Sequence, residues 1–373
     1  MSVREVRRHI GQLLIGSFEG EQIPGELRSL AREFDLGGIT LFARNISSPE
    51  QVAELSYESR HLGLEWPAWV AVDQEGGRVA RLRAPFTEWP PMAVLGRADD
   101  EHLTSRFARA LAREMRTVGI SLDYAPVLDI HTNPKNPVIG DRALSERADR
   151  VARLGAVIVR ELQDEGIAAC GKHFPGHGDT STDSHLELPL VEHPPDRLRE
   201  VEFVPFRAAI EADVKSIMTA HVLVPALDEK VPATLSRTIV HDLLREELGF
   251  DGLILSDDLE MRAIADRYTP AESAVAAIAA GCDAVLLCSG NLTAHAMLLE
   301  GLIRAVESEV LPLKRVEDAI ARHRRTKEGV LVGRPSVLSP LSPAWRPPST
   351  ASLRQVLGCG EHQAVAEEMA QYV

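Results

Sequence analysis

Between Gly171 and Pro189 the chain reads GKHFPGHGDTSTDSHLELP, which sets His173, His177, Asp179, Asp183 and His185 beside Lys172. The glycines and prolines forbid regular structure beyond the opening residues, so these side chains ride on a loop. Asp183 and His185 are two apart, close enough in a turn for the carboxylate to accept the imidazole N–H, which orients the ring and raises its proton affinity. An imidazole held in this way can give a proton and later take one back. The same cluster has the donor types of a metal site. Against that, a loop of this composition needs other strands to fix its ligands, and no HExxH or paired HxH accompanies it. The expectation is an enzyme with no metal and no cofactor.

Three other stretches carry candidate chemistry. In VAVDQEGGRVARL, Val70 to Leu82, Asp73 ends an apolar run, and Gly76 with Gly77 lets the backbone turn so that Arg78 and Arg81 fold back toward it. An ionised aspartate there can grip vicinal hydroxyls; a turn with surface salt bridges explains the residues equally well. In NPVIGDRAL, Asn136 to Leu144, Asp141 and Arg142 read as a structural ion pair. Lys172 and His173 are neighbours at a strand end, where only one would face inward unless a bulge turns both. In GFDGLILSDDLEM, Gly249 to Met261, two aspartates close an apolar run. Adjacent carboxylates repel, so Asp257 is expected to point inward and Asp258 to cap the next helix or meet a cation. A carboxylate such as Asp257 can attack an anomeric carbon while a proton donor such as His185 releases the leaving group, with retention of configuration.

Positioning these residues requires a scaffold that gathers strand ends. Apolar runs recur at Gln12–Phe18, Gly37–Phe42, Ala68–Asp73, Gly119–Ala125, Ile167–Lys172, Lys215–His221, Gly252–Asp257 and Asp283–Cys288. Amphipathic stretches separate them, including Ser105–Val118, Ala148–Glu165 and Pro205–Ala212. Such alternation implies a parallel sheet, and about eight strands suit a closed α/β barrel, a single (β/α)8 barrel. A doubly wound open sheet is the rival; no GxGxxG follows the early runs, and polar residues end nearly all of them rather than one switch point. The catalytic domain is expected over 1–333. Residues 334–373 form a C-terminal extension, an arm rich in Pro and Ser followed by one terminal helix over Leu353–Val373.

The 373 residues carry 55 acidic against 41 basic side chains, net −14, which argues against nucleic acid and anionic membrane as partners. No run is long and apolar enough to span a bilayer, and the N-terminus reads as folded chain rather than a signal peptide. Cys170, Cys282, Cys288 and Cys359 are scattered, which suits buried free thiols in the cytoplasm.

Taken in order, DQEGGRV, APVLDI, VIGDR, KHFPGHGDTSTDSH, MTAHVLVPALD and SDDLEM closely resemble the bacterial glycoside hydrolase family 3 β-N-acetylglucosaminidases of cell-wall recycling, over roughly Gln12 to Gly333. The resemblance implies a TIM barrel that removes terminal N-acetylglucosamine from N-acetylglucosaminyl-1,6-anhydro-N-acetylmuramic acid and its peptide-bearing forms. It implies Asp257 as nucleophile, His185 as acid/base and Asp183 as that histidine's partner. Asp73, Arg81, Arg142, Lys172 and His173 match the sugar-binding positions. The implied partner is a small carbohydrate or muropeptide, met by a monomer. A phosphorylase using phosphate as acceptor and an inactive carbohydrate-binding barrel remain the alternatives.

Overall fold

The computed structural model describes residues 3–184, 187–331 and 338–373. Eight parallel strands close into a barrel: β1 (Leu14–Gly16), β2 (Gly38–Thr40), β3 (Trp69–Val72), β4 (Leu122–Asp123), β5 (Ala168–Phe174), β6 (Ser216–Thr219), β7 (Leu253–Asp258) and β8 (Ala284–Leu286). They follow one another round the barrel, and β8 pairs back to β1, so that Ile15 lies between Gly38 and Leu286. Each apolar run named above overlaps one of these strands, with β5 and β7 running past the ends expected at Lys172 and Asp257.

Alternation along the strands builds two cores. Trp69 and Ala71, Ala168 and Cys170, Leu253 and Leu255, and Ala284 and Leu286 point into the barrel and fill it. The intervening Val70, Val72, Ala169, Ile254 and Val285 face the surrounding helices. Gly38 makes room for the largest interior side chain, since a Cβ there would stand 2.7 Å from Trp69 Cβ. The helix Glu101–Thr117 shows how the outer layer forms. Asp100 caps it by accepting the amides of His102 and Leu103, and Leu103, Phe107, Leu111 and Met115, four residues apart, bury one stripe. Each such side chain contributes about 1.5–3 kcal/mol. No helix among the described residues is long and apolar enough to cross a membrane.

The bottom of the barrel, where the strands begin, is shut from the C-terminal side. Helix Leu313–Leu331 brings Val330, and the arm brings Leu341, into the interior core. Asp283, fully buried just before β8, takes Arg245 at 2.7 Å and Arg315 at 2.7 Å, with Arg322 at 3.5 Å. Beyond the arm come two helices, Thr350–Val356 and Gly360–Ala370, where the sequence suggests one. Gly358, at φ +57°, breaks the run, and its amide donates to Glu114 along with His362 and Thr87. The four cysteines are free thiols; Cys170 and Cys282 are buried, Cys288 and Cys359 half-buried.

Candidate active site

Carried past the last barrel layer, the same alternation sets the site. Trp69 and Ala71 lead to Asp73, Ala168 and Cys170 lead to Lys172, and Leu253 and Leu255 lead to Asp257, all aimed into the mouth. They line a cavity of about 330 Å³ together with Arg81, Arg142, His173 and Asp183. Sequence reasoning named all seven. His185 lies outside the described residues.

On one wall the charges interlock. Lys172 Nζ lies 2.9 Å from Asp73 Oδ1 and 2.6 Å from Glu75 Oε1. Arg81 reaches Asp73 Oδ2 at 3.1 Å, and Arg142 grips both oxygens of Glu75 at 2.9 and 2.8 Å. Burial pushes Asp73 and Glu75 up, but Lys172 with Arg81, and Arg142 with Lys172, overcome it and hold both carboxyls below their usual range. Asp73 and Glu75 in turn hold Lys172 protonated against its burial. Gly76, at φ +113°, and Gly77, at φ +55°, turn the hairpin of Gln74–Gly76 and Val79–Ala80 that carries Arg81 back over Asp73. Arg78 does not join it. It donates to the Val138 carbonyl at 2.5 Å and lies 3.4 Å from Asp141, so the expected Asp141–Arg142 pair is replaced by Arg78–Asp141 and Arg142–Glu75.

Lys172 and His173 both reach the cavity because the β5–β6 register breaks between Gly171 and Phe174. Asp129 fixes His173, accepting from Nδ1 at 2.6 Å, which leaves Nε2 for the cavity. Its other oxygen accepts the His177 amide at 2.6 Å. His177 is pushed down to about 4 by burial and is therefore a neutral ring, bonded to Thr180 Oγ1 at 2.8 Å and to Ser184 Oγ at 3.1 Å. Asn136 adds donors to the His177 carbonyl and to Thr180. The start of the loop is thus packed and bonded, although its small polar residues suggest few contacts. Asp179 continues the pattern by accepting from Thr132 at 2.8 Å and from His193. Among the described residues no group of three or more His, Cys, Asp or Glu side chains is placed to hold a metal.

On the opposite wall Asp257 Oδ1 accepts the Asp258 amide at 2.8 Å. Burial raises its proton affinity, but the nearby His221 and His173, that amide and Lys172 outweigh it, so Asp257 stays ionised. Asp258 neither caps a helix nor meets a cation among the described residues. Its Oδ1 accepts the amides of Glu260 and Cys288 at 3.0 and 3.2 Å.

The glycosyl hydrolase family 3 N-terminal domain matches residues 5–325. The chain belongs to glycoside hydrolase family 3. A β-hexosaminidase of Nitrosospira multiformis is 40% identical to this family 3 chain over 293 residues, 77% of this chain and 83% of the relative. One of Alkalilimnicola ehrlichii is 41% identical over 286 residues, 75% and 81% of the two. A family 3 β-N-acetylglucosaminidase structure from Paenibacillus sp. superposes with a TM-score of 0.88 at 39% identity, over 98% of this chain and 68% of its own. NagZ from Neisseria gonorrhoeae, in complex with N-trifluoroacetyl-D-glucosamine, gives 0.76 at 29% identity over 98% of both. The chain is a glycosidase. What its sequence leaves unassigned in this family 3 site is Glu75, Asp129 as the anchor of His173, and Tyr124, whose hydroxyl meets Thr40 at 2.9 Å in the cavity. For Glu75 a signal exists: it stands two residues past Asp73, the spacing that keeps one face.

Proposed function

We propose that this glycosidase is a β-N-acetylhexosaminidase that removes terminal β-N-acetylglucosamine from peptidoglycan fragments, N-acetylglucosaminyl-1,6-anhydro-N-acetylmuramic acid with or without its peptide. The observation that carries the reading is Asp257: a half-buried carboxylate kept ionised, one oxygen held by an amide, facing a wall of paired cations across a sugar-sized cavity. The names of the relatives supply the hexosamine. The four free thiols fit the cytoplasm, where such fragments would be met.

In this mechanism the sugar's hydroxyls bond to Asp73, Arg81, Arg142, Lys172 and His173. Asp257 Oδ2 attacks the anomeric carbon through an oxocarbenium-like transition state while His185, oriented by Asp183, protonates the departing oxygen. The glycosyl-Asp257 ester is then opened by water, which His185 deprotonates, and configuration is retained. No step calls for a metal.

Leaving-group dependence tests the assignment. A 4-nitrophenolate departs without a proton, whereas a sugar alkoxide does not. His185→Ala is expected to slow the disaccharide far more than the aryl glycoside, and azide to restore aryl turnover with a β-glycosyl azide as product. Equal losses on both substrates, without rescue, would remove His185 from the role. Free N-acetylglucosamine as the product in phosphate buffer, rather than its 1-phosphate, separates hydrolase from phosphorylase.

A further inference from the structure

Three carboxylates around the cavity are ion-paired: Asp73 has Lys172 and Arg81, Glu75 has Lys172 and Arg142, and Asp129 has His173; Asp257, in no ion pair, lies near His221 and His173. Asp258 differs. Its Oδ1 is occupied by two uncharged amides from two separate loops, Glu260 before the next helix and Cys288 after β8. Its Oδ2 enters none of the hydrogen bonds among the described residues, while the side chain lines the cavity. Among the described residues, none of the groups facing it forms an ion pair with its carboxyl. Asp257 and Glu260, on its own segment, are carboxylates, and Cys288 is kept a neutral thiol by burial. His221, from after β6, meets the Asp258 carbonyl through Nε2 at 2.9 Å and Thr234 through Nδ1 at 2.8 Å. Arg44, from after β2, is spent on the carbonyls of Phe18 and Cys288 and on Glu19.

We propose that Asp258 is a neutral, hydrogen-donating wall of the sugar site, and that sugar binding is coupled to the proton on its Oδ2. A sugar filling the cavity strips water from whatever lines it, and an ionised carboxyl without a countercharge resists that far more than a carboxylic acid does. Burial, together with the charges of Glu260 and Asp257, pushes Asp258 up to about 7, so the proton is present in mild acid and leaves in mild alkali. Bound sugar favours the protonated form, and by linkage it must raise that proton's affinity further. Affinity then falls as pH rises, approaching about tenfold per unit well above neutrality.

The proposal rests on the cavity being the sugar site, and binding of N-acetylglucosamine tests the two separately. Calorimetry at about pH 8 in buffers of differing ionisation enthalpy is expected to show close to one proton taken up per sugar bound by the wild type. Asp258→Asn keeps the shape and a donor but cannot ionise, and should abolish both the uptake and the fall in affinity. Uptake that persists in this variant, or is absent in the wild type, overturns the proposal. No binding at any pH would sink the sugar site and the proposal with it. Should Asp258→Asn fail to fold, infrared difference spectra of the wild type decide: a protonated-carboxyl band lost on raising the pH and regained on adding sugar supports the coupling, and a band indifferent to sugar refutes it.

Discussion

The two ends of the barrel each hold a buried ion cluster, and they use the same chemistry to opposite ends. At the bottom, Asp283 takes Arg245 and Arg315 on separate oxygens, and its Oδ2 also accepts the Ile254 amide. The arginines finish their valences on main-chain carbonyls, Arg315 on Ile278, Gly281 and Cys282, and Arg245 on Phe250 and Gly252. That cluster ties helix Leu313–Leu331 to the strands, and Asp283 lies outside the lining of the cavity at the barrel mouth. At the top, Asp73, Glu75, Lys172, Arg81 and Arg142 pair just as tightly, yet all of them except Glu75 line a space about 330 Å³ in volume. Buried ion pairs alone do not make a site. Geometry that leaves donors and acceptors facing an open volume does.

Substitution should separate the two ends, most strongly at the carboxylate that is not locked in an ion pair. Asp257→Asn is expected to cut turnover by at least about 10⁴-fold on all substrates while folding and sugar binding persist. Steady-state kinetics beside a thermal melt would check it, and retained activity would pass the nucleophile's role to another carboxylate. Asp283→Ala inverts the pattern. Stranding Arg245 and Arg315 should cost about 3–5 kcal/mol of stability, read by denaturant unfolding, with kcat little changed below the lowered melting point.

Asp73→Ala is a smaller perturbation. It removes hydrogen bonds to a charged acceptor worth about 1.5–3 kcal/mol, so kcat/KM should fall roughly ten- to a hundredfold with a modest change in stability. Unchanged kinetics would make the top cluster structural, like the bottom one. Acid should act more gradually. Asp73, Glu75, Asp129 and Asp257 are all held below the ordinary carboxylate range, so the unfolded chain binds more protons than the folded one in acid. Their contribution is therefore complete above the unfolded values, about pH 4, and drains away as pH falls below them. Unfolding measured across that range should show the decline, and Glu75→Gln should make it shallower. Prolonged chelation is expected to change nothing; a loss of activity restored by zinc would revive the metal reading of the histidine loop.

Much of this was readable from periodicity. The strands declared themselves as apolar runs, and counting by twos from Trp69, Ala168 and Leu253 reaches Asp73, Lys172 and Asp257. Where the backbone leaves the strand the count loses its meaning. Arg142 meets Glu75 across 67 residues of sequence, and the hairpin that presents Glu75 exists only once the barrel has closed. The ordered start of the histidine loop is similarly nonlocal, since the donors and acceptors that hold His177 come from Asp129 and Asn136, 48 and 41 residues away. The two final helices were hidden because Gly358 breaks a run whose composition is otherwise continuous.

Met218 and Leu286 belong at once to the cavity lining and to the barrel's interior core, whose opposite end is Val330 and Leu341. The floor of the cavity is thus the top course of a column of side chains footed on the C-terminal segment. Leu341 and Leu286 belong to one close-packed cluster, so a void opened at its foot is felt by the packing it shares with the cavity floor. Repacking the foot of this stack will therefore bear on the fold and on the cavity floor together, unlike a change at Asp283, which is not part of it.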